Sequence, residues 1–415
     1  MLFILIGCAV DGTAEDDTNA VTAGVTYFQD VRPILQESCV GCHNREGIGT
    51  FPLESYDDVV LVKDAVADAV AERRMPPWLA GQDCNDYLID MALTDEEIAL
   101  VTEWVADGAP EGDEASAVDA EVPELPRLED PDFVLELPEV YTPTVAPDDY
   151  RCFVVDWPAE ESTYVVGYDV LPGNDRVVHH LVAYIAAPEH AAFYEDLDAA
   201  DPGAGYSCYG GPGAPDGEDQ NYVDWLGGWA PGGGYSQFPH GAGIEMEPGS
   251  KVILQMHYNL ENADGGEDDR TRMAIKTADS VEREAWIQPW ADPDWLGSEE
   301  MEIPAGAEDV THSFRFSPPV DLTLFTANLH MHQQGVSARM FIERAEGDET
   351  CLLDIPRWDF NWQRGYGFVE PEVLRSEDTL VLECTWDNNT DEDIHWGDGT
   401  GDEMCLGTML LAVGG

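Results

Sequence analysis

Apolar and polar positions alternate in two different rhythms along the chain. Between residues 26 and 110 the apolar positions recur at helical spacing. "VKDAVADAVAERR" sets Val62, Val66 and Val70 at i, i+4 and i+8 on one helix face. "LTDEEIALVTEWVADGAP" opens with a Thr94-x-x-Glu97 capping box and carries Ile98, Val101 and Val105 as its stripe. Gly108 and Pro110 then stop it. Residues 109–128 lose all periodicity and become acidic and rich in Ala and Pro, the composition of a linker. From about 129 onward short β runs take over, among them "RCFVVDW", "TYVVGYDVL", "VVHHLVAYIA", "KVILQMHYNL", "LTLFTANLHMH", "TLVLECTW" and "GTMLLAV". Gly, Pro, Asp and Asn punctuate them, which predicts antiparallel sandwiches. Nearly 290 residues of this texture exceed one small sandwich, so two are expected, dividing near 285–298.

The expected organisation is therefore a leader and tail over 1–23, a small all-α domain over 24–112, and a linker over 113–128. Two all-β sandwiches follow, over 129–285 and 286–415. The leader "MLFILIGCAVDG" places a short apolar run before Cys8. "LIGC" resembles the lipobox of a bacterial lipoprotein, in which Cys8 takes the lipid, although the usual positive n-region is absent. Export to the periplasm, the outer membrane or the cell surface is the expectation. Elsewhere no run reaches the roughly 20 apolar residues of a membrane span. Charge narrows the partners. The chain has 84 acidic against 19 basic residues, with Lys63, Lys251 and Lys276 its only lysines, and this excludes general attraction to nucleic acid or anionic lipid. An acidic surface suits a salty or extracellular setting, or docking of a basic redox partner.

"CVGCH", residues 39–43, is a haem c attachment motif. Cys39 and Cys42 add to the vinyl groups, and His43 is an axial iron ligand. Met75 in "RRMPPW" is the expected sixth ligand, with Met91 the competitor. The segment resembles small c-type cytochrome domains in this motif, the "MPPW" loop and the "EWVADGAPEGD" helix, and implies a one-electron carrier.

A second set of histidines lies on the predicted strands. His330 and His332, at i and i+2 in "NLHMHQQG", project from one strand face. His179 and His180 are adjacent, so both reach one metal only at a bulge or strand end. His257 shares a face with Gln255, and Met404 lies in "GDEMCLG". Imidazole suits several metals, but a thioether beside two histidines selects Cu(I) over zinc.

In order, "HHLVAY", "LQMHYN", "LHMHQQG" and "DEMCLG" resemble the copper-binding segments of copper type II monooxygenases, the family of peptidylglycine α-hydroxylating and dopamine β-monooxygenases. The resemblance covers roughly 130–415. It implies two jelly-roll domains and two copper ions: an electron-transfer copper on His179, His180 and His257, and an O2-binding copper on His330, His332 and Met404. It also implies a role for Gln255 between the coppers, disulfides Cys384–Cys405 and Cys152–Cys208, and hydroxylation of a substrate C–H bond. Cys84 and Cys351 remain, either bridged to each other or free. The peptide-hydroxylating members carry an arginine where this chain has Asn328, and a tyrosine where it has Thr408. Both positions are substrate-pocket candidates, and a neutral amide cannot grip a carboxylate as an arginine does. His190, His240, His312 and His395 match no ligand position. The expected function is a copper monooxygenase acting on a small organic molecule, fed by an external reductant, either a redox protein or an ascorbate-like donor, through the fused haem. A non-catalytic haem and copper electron carrier is the alternative, and an oxidase making peroxide is a third reading.

Overall fold

The computed structural model describes residues 24–45, 49–122, 127–215, 222–230, 235–260, 265–295, 300–397 and 401–414. The leader and Cys8 lie outside them. No helix among the described residues is long and apolar enough to cross a membrane. The chain forms two compact units. One takes 24–45, 49–72 and 94–122, and the other takes 73–93 and the residues from 127 onward.

The first unit is helical. A π-helical turn at Tyr27–Val31 leads into α1 (Arg32–Ser38), followed by α2 (Tyr56–Ala71) and α3 (Asp95–Ala106). Both long helices begin with reciprocal capping boxes, Ser55 with Asp58 and Thr94 with Glu97. Each box satisfies backbone N–H groups that a helix start leaves open. Val59, Val66 and Val70 of α2 and Val101 and Trp104 of α3 are buried with Tyr27, Val31 and Leu35, so Val66, Val70 and Val101 of the expected stripes reach the core while Val62, Ile98 and Val105 are half-buried. The expected linker is ordered in its first part. Val118 N–H donates to the Phe28 carbonyl (2.8 Å), Ala120 N–H to Gln36 Oε1 (3.0 Å), and Arg32 pairs with Asp119 (2.7 Å).

The second unit opens with β1 (Phe133–Glu136), β2 (Asp148–Asp156), β3 (Thr163–Leu171), β4 (Val178–Ala186) and helix α4 (Ala191–Ala200). It continues with β5 (Tyr206–Ser207), β6 (Asp224–Trp229), β7 (Ser236–Gln237), β8 (Ala242–Met246), β9 (Lys251–Asn259), β10 (Arg272–Ala278), β11 (Arg283–Glu284) and β12 (Trp286–Trp290). The last third adds β13 (Val310–Phe316), β14 (Leu322–His330), β15 (Gly335–Glu343), β16 (Glu349–Ile355), β17 (Tyr366–Leu374), β18 (Thr379–Trp386) and β19 (Leu406–Val413).

These strands make three sheets. A six-stranded sheet runs β1-β10-β3-β8-β11, with β7 on β3. A nine-stranded sheet runs β17-β14-β19-β12-β6-β4-β9-β2-β5, and a four-stranded one runs β13-β18-β15-β16. Leu181, Leu254 and Met256 of the nine-stranded sheet share a core with Val165, Met273 and Ile275 of the six-stranded one. Leu324, Leu329 and Met409 share another with Met340, Ile342 and Leu382 of the four-stranded sheet. The sheets thus pack face to face around two cores, as in β-sandwiches, and the long sheet contributes to both. β12 pairs along β19 and meets β6 at Ile287↔Trp225.

Segment 73–93, expected within the helical domain, folds with the sandwiches instead. Its Tyr87 bridges Phe368, Gly81 N–H donates to the Asp354 carbonyl (2.8 Å), and Leu88 N–H donates to that of Gly367 (2.8 Å). Trp78 stacks edge-on against Tyr366 at 4.9 Å. Burying these rings supplies what the polar stretch cannot provide from its own periodicity. Cys84 is disulfide-bonded to Cys351 on β16, 267 residues away, alongside Cys152–Cys208 and Cys384–Cys405. Replacing Cys84 and Cys351 together by Ser is expected to lower stability by about 2–5 kcal/mol. Urea denaturation under non-reducing conditions measures that loss.

Candidate metal centre

β4 and β9 are neighbours in the long sheet, and their register sets His180 directly opposite His257. The pairing jumps from Val178↔Tyr258 to His180↔His257, leaving His179 unpaired at a bulge. A bulge re-aims a side chain that regular pleating would send to the other face. As a result all three imidazoles turn inward. The Nδ1 atoms of His179, His180 and His257 form a triangle with every side 3.2 Å. Among the described residues this is the one group of His, Cys, Asp or Glu side chains that converges in this way. An ion about 2.0 Å from each nitrogen, the usual metal–imidazole distance, separates tetrahedrally arranged nitrogens by about 3.3 Å. The triangle therefore fits one ion.

Proton chemistry favours the same reading. Burial holds the His179 imidazole below its ordinary pKa and His180 well below it, with the neighbouring rings His257, His179 and His330 adding to the depression at His180. Burial also pushes His257 down to about 4, against the opposing pull of its Asp148 hydrogen bond. These rings are neutral at pH 7, the form in which an imidazole nitrogen can offer a lone pair to a metal. His257 Nε2–H donates to Asp148 Oδ1 at 2.8 Å, which leaves Nδ1 as the lone-pair nitrogen. The Tyr150 ring stacks on His257 at 4.2 Å and 6°.

The second set lies at the end of β14. His330 Nδ1–H donates to Gln363 Oε1 (2.5 Å) and His332 Nδ1–H to the Asp402 carbonyl (2.9 Å). Both rings then keep Nε2 free. Their centroids lie 5.1 Å apart at 78°, and burial pushes His330 down to about 4. Glu403, fully buried, accepts the backbone N–H groups of His332 (2.8 Å) and Gln334 (2.6 Å) and the Trp386 indole N–H (2.8 Å). Half-buried Met404 follows it, then Cys405 bonded to Cys384. Contacts to the His332 turn thus hold the residues just before the thioether, and a disulfide holds the residue after it. A donor set of two imidazoles and a thioether would suit Cu(I). Phe360 lies between the two sets, with ring centroids 6.5 Å from His179 and 6.1 Å from His332.

Other expected residues fall as follows. Gln255 is buried and both ends of its amide are used, Oε1 by the Tyr184 hydroxyl (3.1 Å) and Nε2 by the Cys208 carbonyl (2.8 Å). It ties β9 to the loop of the Cys152–Cys208 disulfide. Asn328 is paired across the sheet with Thr408, shares the His330 strand face, and has a buried Oδ1 with no partner. In the helical unit Cys39 and Cys42 are not disulfide-bonded, and burial together with the Cys42 thiol pushes Cys39 up to about 12. His43 Nδ1–H donates to the Phe51 carbonyl (3.0 Å), leaving Nε2 as the donor a haem iron needs. Met75 lies on segment 73–93, as does Met91, whose sulfur accepts from Arg364 at 2.8 Å. His190, His240 and His312 bond backbone carbonyls of Tyr222, Phe368 and Glu302, a structural use. His395 Nδ1 is buried without a partner.

Asp148, Gln363, Phe360 and Glu403 were not singled out from the sequence. Glu403 alone had a local signal, as an acidic residue beside Met404 and Cys405 in a segment about to enter a core strand.

Residues 133–264 match the family described as copper type II ascorbate-dependent monooxygenase, N-terminal domain, and residues 298–410 match its C-terminal domain. Both domains of one oxidoreductase class are therefore present, over more than half of the chain. The chain belongs to the copper type II ascorbate-dependent monooxygenase family. It is 24% identical over 252 residues to DBH-like monooxygenase protein 1 of Homo sapiens, a match covering 57% of this chain and 40% of that protein. DBH-like monooxygenase protein 2 of Mus musculus is 26% identical over 253 residues, covering 56% of the chain and 38% of the relative. The match thus spans well under half the length of these relatives.

Asp148→Asn is expected to weaken copper binding at the three-histidine cluster about 10- to 100-fold, read by competition with a chromophoric chelator. A pH dependence follows as well. Folded His257 and His330 take protons near 4, whereas unfolded imidazoles do so near 6.5. Between these values the unfolded chain holds more protons, so stability rises with pH there. Metal-free protein should lose stability as pH falls from about 6.5 to about 4. A His330→Phe variant should show a slope shallower by about one proton in the same denaturation series.

Proposed function

We propose that this chain is a copper monooxygenase that hydroxylates a C–H bond of a small organic substrate, with a fused haem c as its electron entry. The observation that carries this reading is the pair of histidine sets at one continuous sheet, in which His257, His330 and His332 each have one ring nitrogen engaged by an oxygen acceptor and the other left for a metal. Substrate R–H, O2, two electrons and two protons give R–OH and water. Bound copper would supply one-electron transfer at His179, His180 and His257, and O2 activation at His330, His332 and Met404.

The chain's own residues orient and exclude. Asp148 holds His257, Gln363 holds His330, and the Asp402 carbonyl holds His332. Phe360 occupies space between the sets that water would otherwise take. Asn328 and Thr408 face the substrate beside His330. Asn328 offers no cation for a carboxylate, so glycine-extended peptides are not the substrate.

The haem would be held by Cys39, Cys42 and His43, with Met75 as its second axial ligand, and would pass electrons from an external reductant toward the three-histidine copper. Tethering in one chain raises the effective donor concentration to roughly millimolar. Three disulfides support an oxidising, exported location, and the acidic surface suits a basic redox partner. Lipidation at Cys8 would add a membrane anchor.

Metal analysis is expected to give one iron and two coppers per chain, falling by about one copper in His330→Ala. Reduced haem should reoxidise faster when copper, O2 and substrate are all present, and Met404→Ile should abolish product. An electron carrier would take up negligible O2 with every substrate. An oxidase would yield stoichiometric peroxide and no oxygenated product.

A further inference from the structure

We infer that Gln363 is a positioning residue for the second histidine set, and that the loop carrying it, 356–365 between β16 and β17, is the brace of that site. The inference rests on the reading that His330 and His332 hold a metal. Three residues of this loop touch the pair. Gln363 Oε1 lies 2.5 Å from His330 Nδ1, the Trp358 indole N–H donates to the His332 carbonyl (3.0 Å), and the Phe360 ring packs against that of His332.

The orientation of Gln363 is itself determined within the loop. Its Nε2 donates to the Phe360 carbonyl at 2.9 Å, so Oε1 must be the end that meets His330. An acceptor at that place requires the hydrogen on Nδ1. A neutral imidazole carries only one, so Nε2 presents its lone pair to the site. Leucine at 363 would leave both tautomers open, whereas glutamate would keep an acceptor facing Nδ1.

Segment 73–93 grips both roots of the loop. On the β16 side the Gly81 N–H bonds the Asp354 carbonyl, Arg357 Nη2 donates to the Arg73 carbonyl (2.7 Å), and Cys84 is bonded to Cys351. On the β17 side the Arg364 guanidinium lies over Trp78 at 5.3 Å and donates to Met91 sulfur, and the Leu88 N–H bonds the Gly367 carbonyl. A loop held at both ends can keep one side chain in hydrogen-bonding register with a metal ligand, whereas a free loop would average that contact away.

The test is made on the full chain in two parts. Histidine-selective 15N NMR of the metal-free protein at fixed pH should find His330 protonated at Nδ1 in the native protein and in Gln363→Glu, and a mixture of tautomers in Gln363→Leu. Titration with Cu(I) against a chelator should find the second equivalent bound about 10- to 100-fold more weakly in Gln363→Leu and near the native value in Gln363→Glu. The first equivalent should be unchanged, which also reports that the variant is folded. Unaltered His330 resonances, or an unaltered second affinity in Gln363→Leu, would overturn the inference. A native protein that takes up one equivalent while His330 keeps its Nδ1 proton would overturn the second metal site and leave the positioning role standing.

Discussion

Five imidazoles crowd into two clusters, and taking up a second proton on two neighbouring rings would put like charges within a few ångströms. The molecule meets this constraint in two ways. Burial lowers the proton affinity of His179, His180, His257 and His330. An oxygen acceptor at the outer nitrogen of His257, His330 and His332 then decides which nitrogen keeps the hydrogen. The acceptors differ in kind: a carboxylate for His257, an amide for His330 and a backbone carbonyl for His332. A carboxylate raises ligand basicity more than an amide or carbonyl does, so the two sets are tuned differently before any metal arrives.

The long sheet places these sets in fixed relation. Had the sandwiches been joined only by a loop, the positions of β4, β9 and β14 would depend on that loop's conformation. Instead β6, β12 and β19 run between them as paired strands. Two disulfides lie next to the histidine sets in the chain's contacts. Cys384–Cys405 fixes the residue after Met404, and Cys152–Cys208 fixes the loop whose carbonyl holds Gln255 beside His257.

What was legible in the sequence was local. The histidine-bearing strands, the need for a bulge at His179–His180 and the Thr94–Glu97 box each depend on residues within a few positions of one another. The acceptors were not legible because they come from far away. Asp148 is 109 residues from His257, Gln363 is 33 from His330, and Glu403 is 71 from His332. Nothing in the local pattern of an Asp or Gln says which imidazole it will meet. Segment 73–93 failed for a related reason. It lies within the stretch assigned to the all-α domain, and its Trp78 and Tyr87 become core residues only against surfaces some 270 to 290 residues downstream. The shared sheet was also hidden, since one pair, Ile287↔Trp225, makes the junction.

The route of the backbone through segment 73–93 bears on how this protein can be taken apart. α2 and α3 belong to one unit, yet the only chain joining them folds with the other and is bonded there through Cys84. A protease cutting the acidic stretch after residue 122 would sever one connection and release nothing. Expressing the helical unit alone would strip segment 73–93 of the surface that gives it shape. The helical unit is thus made of two stretches of chain whose connecting segment belongs to the other unit, and any redesign that moves α2 and α3 has to carry segment 73–93 along.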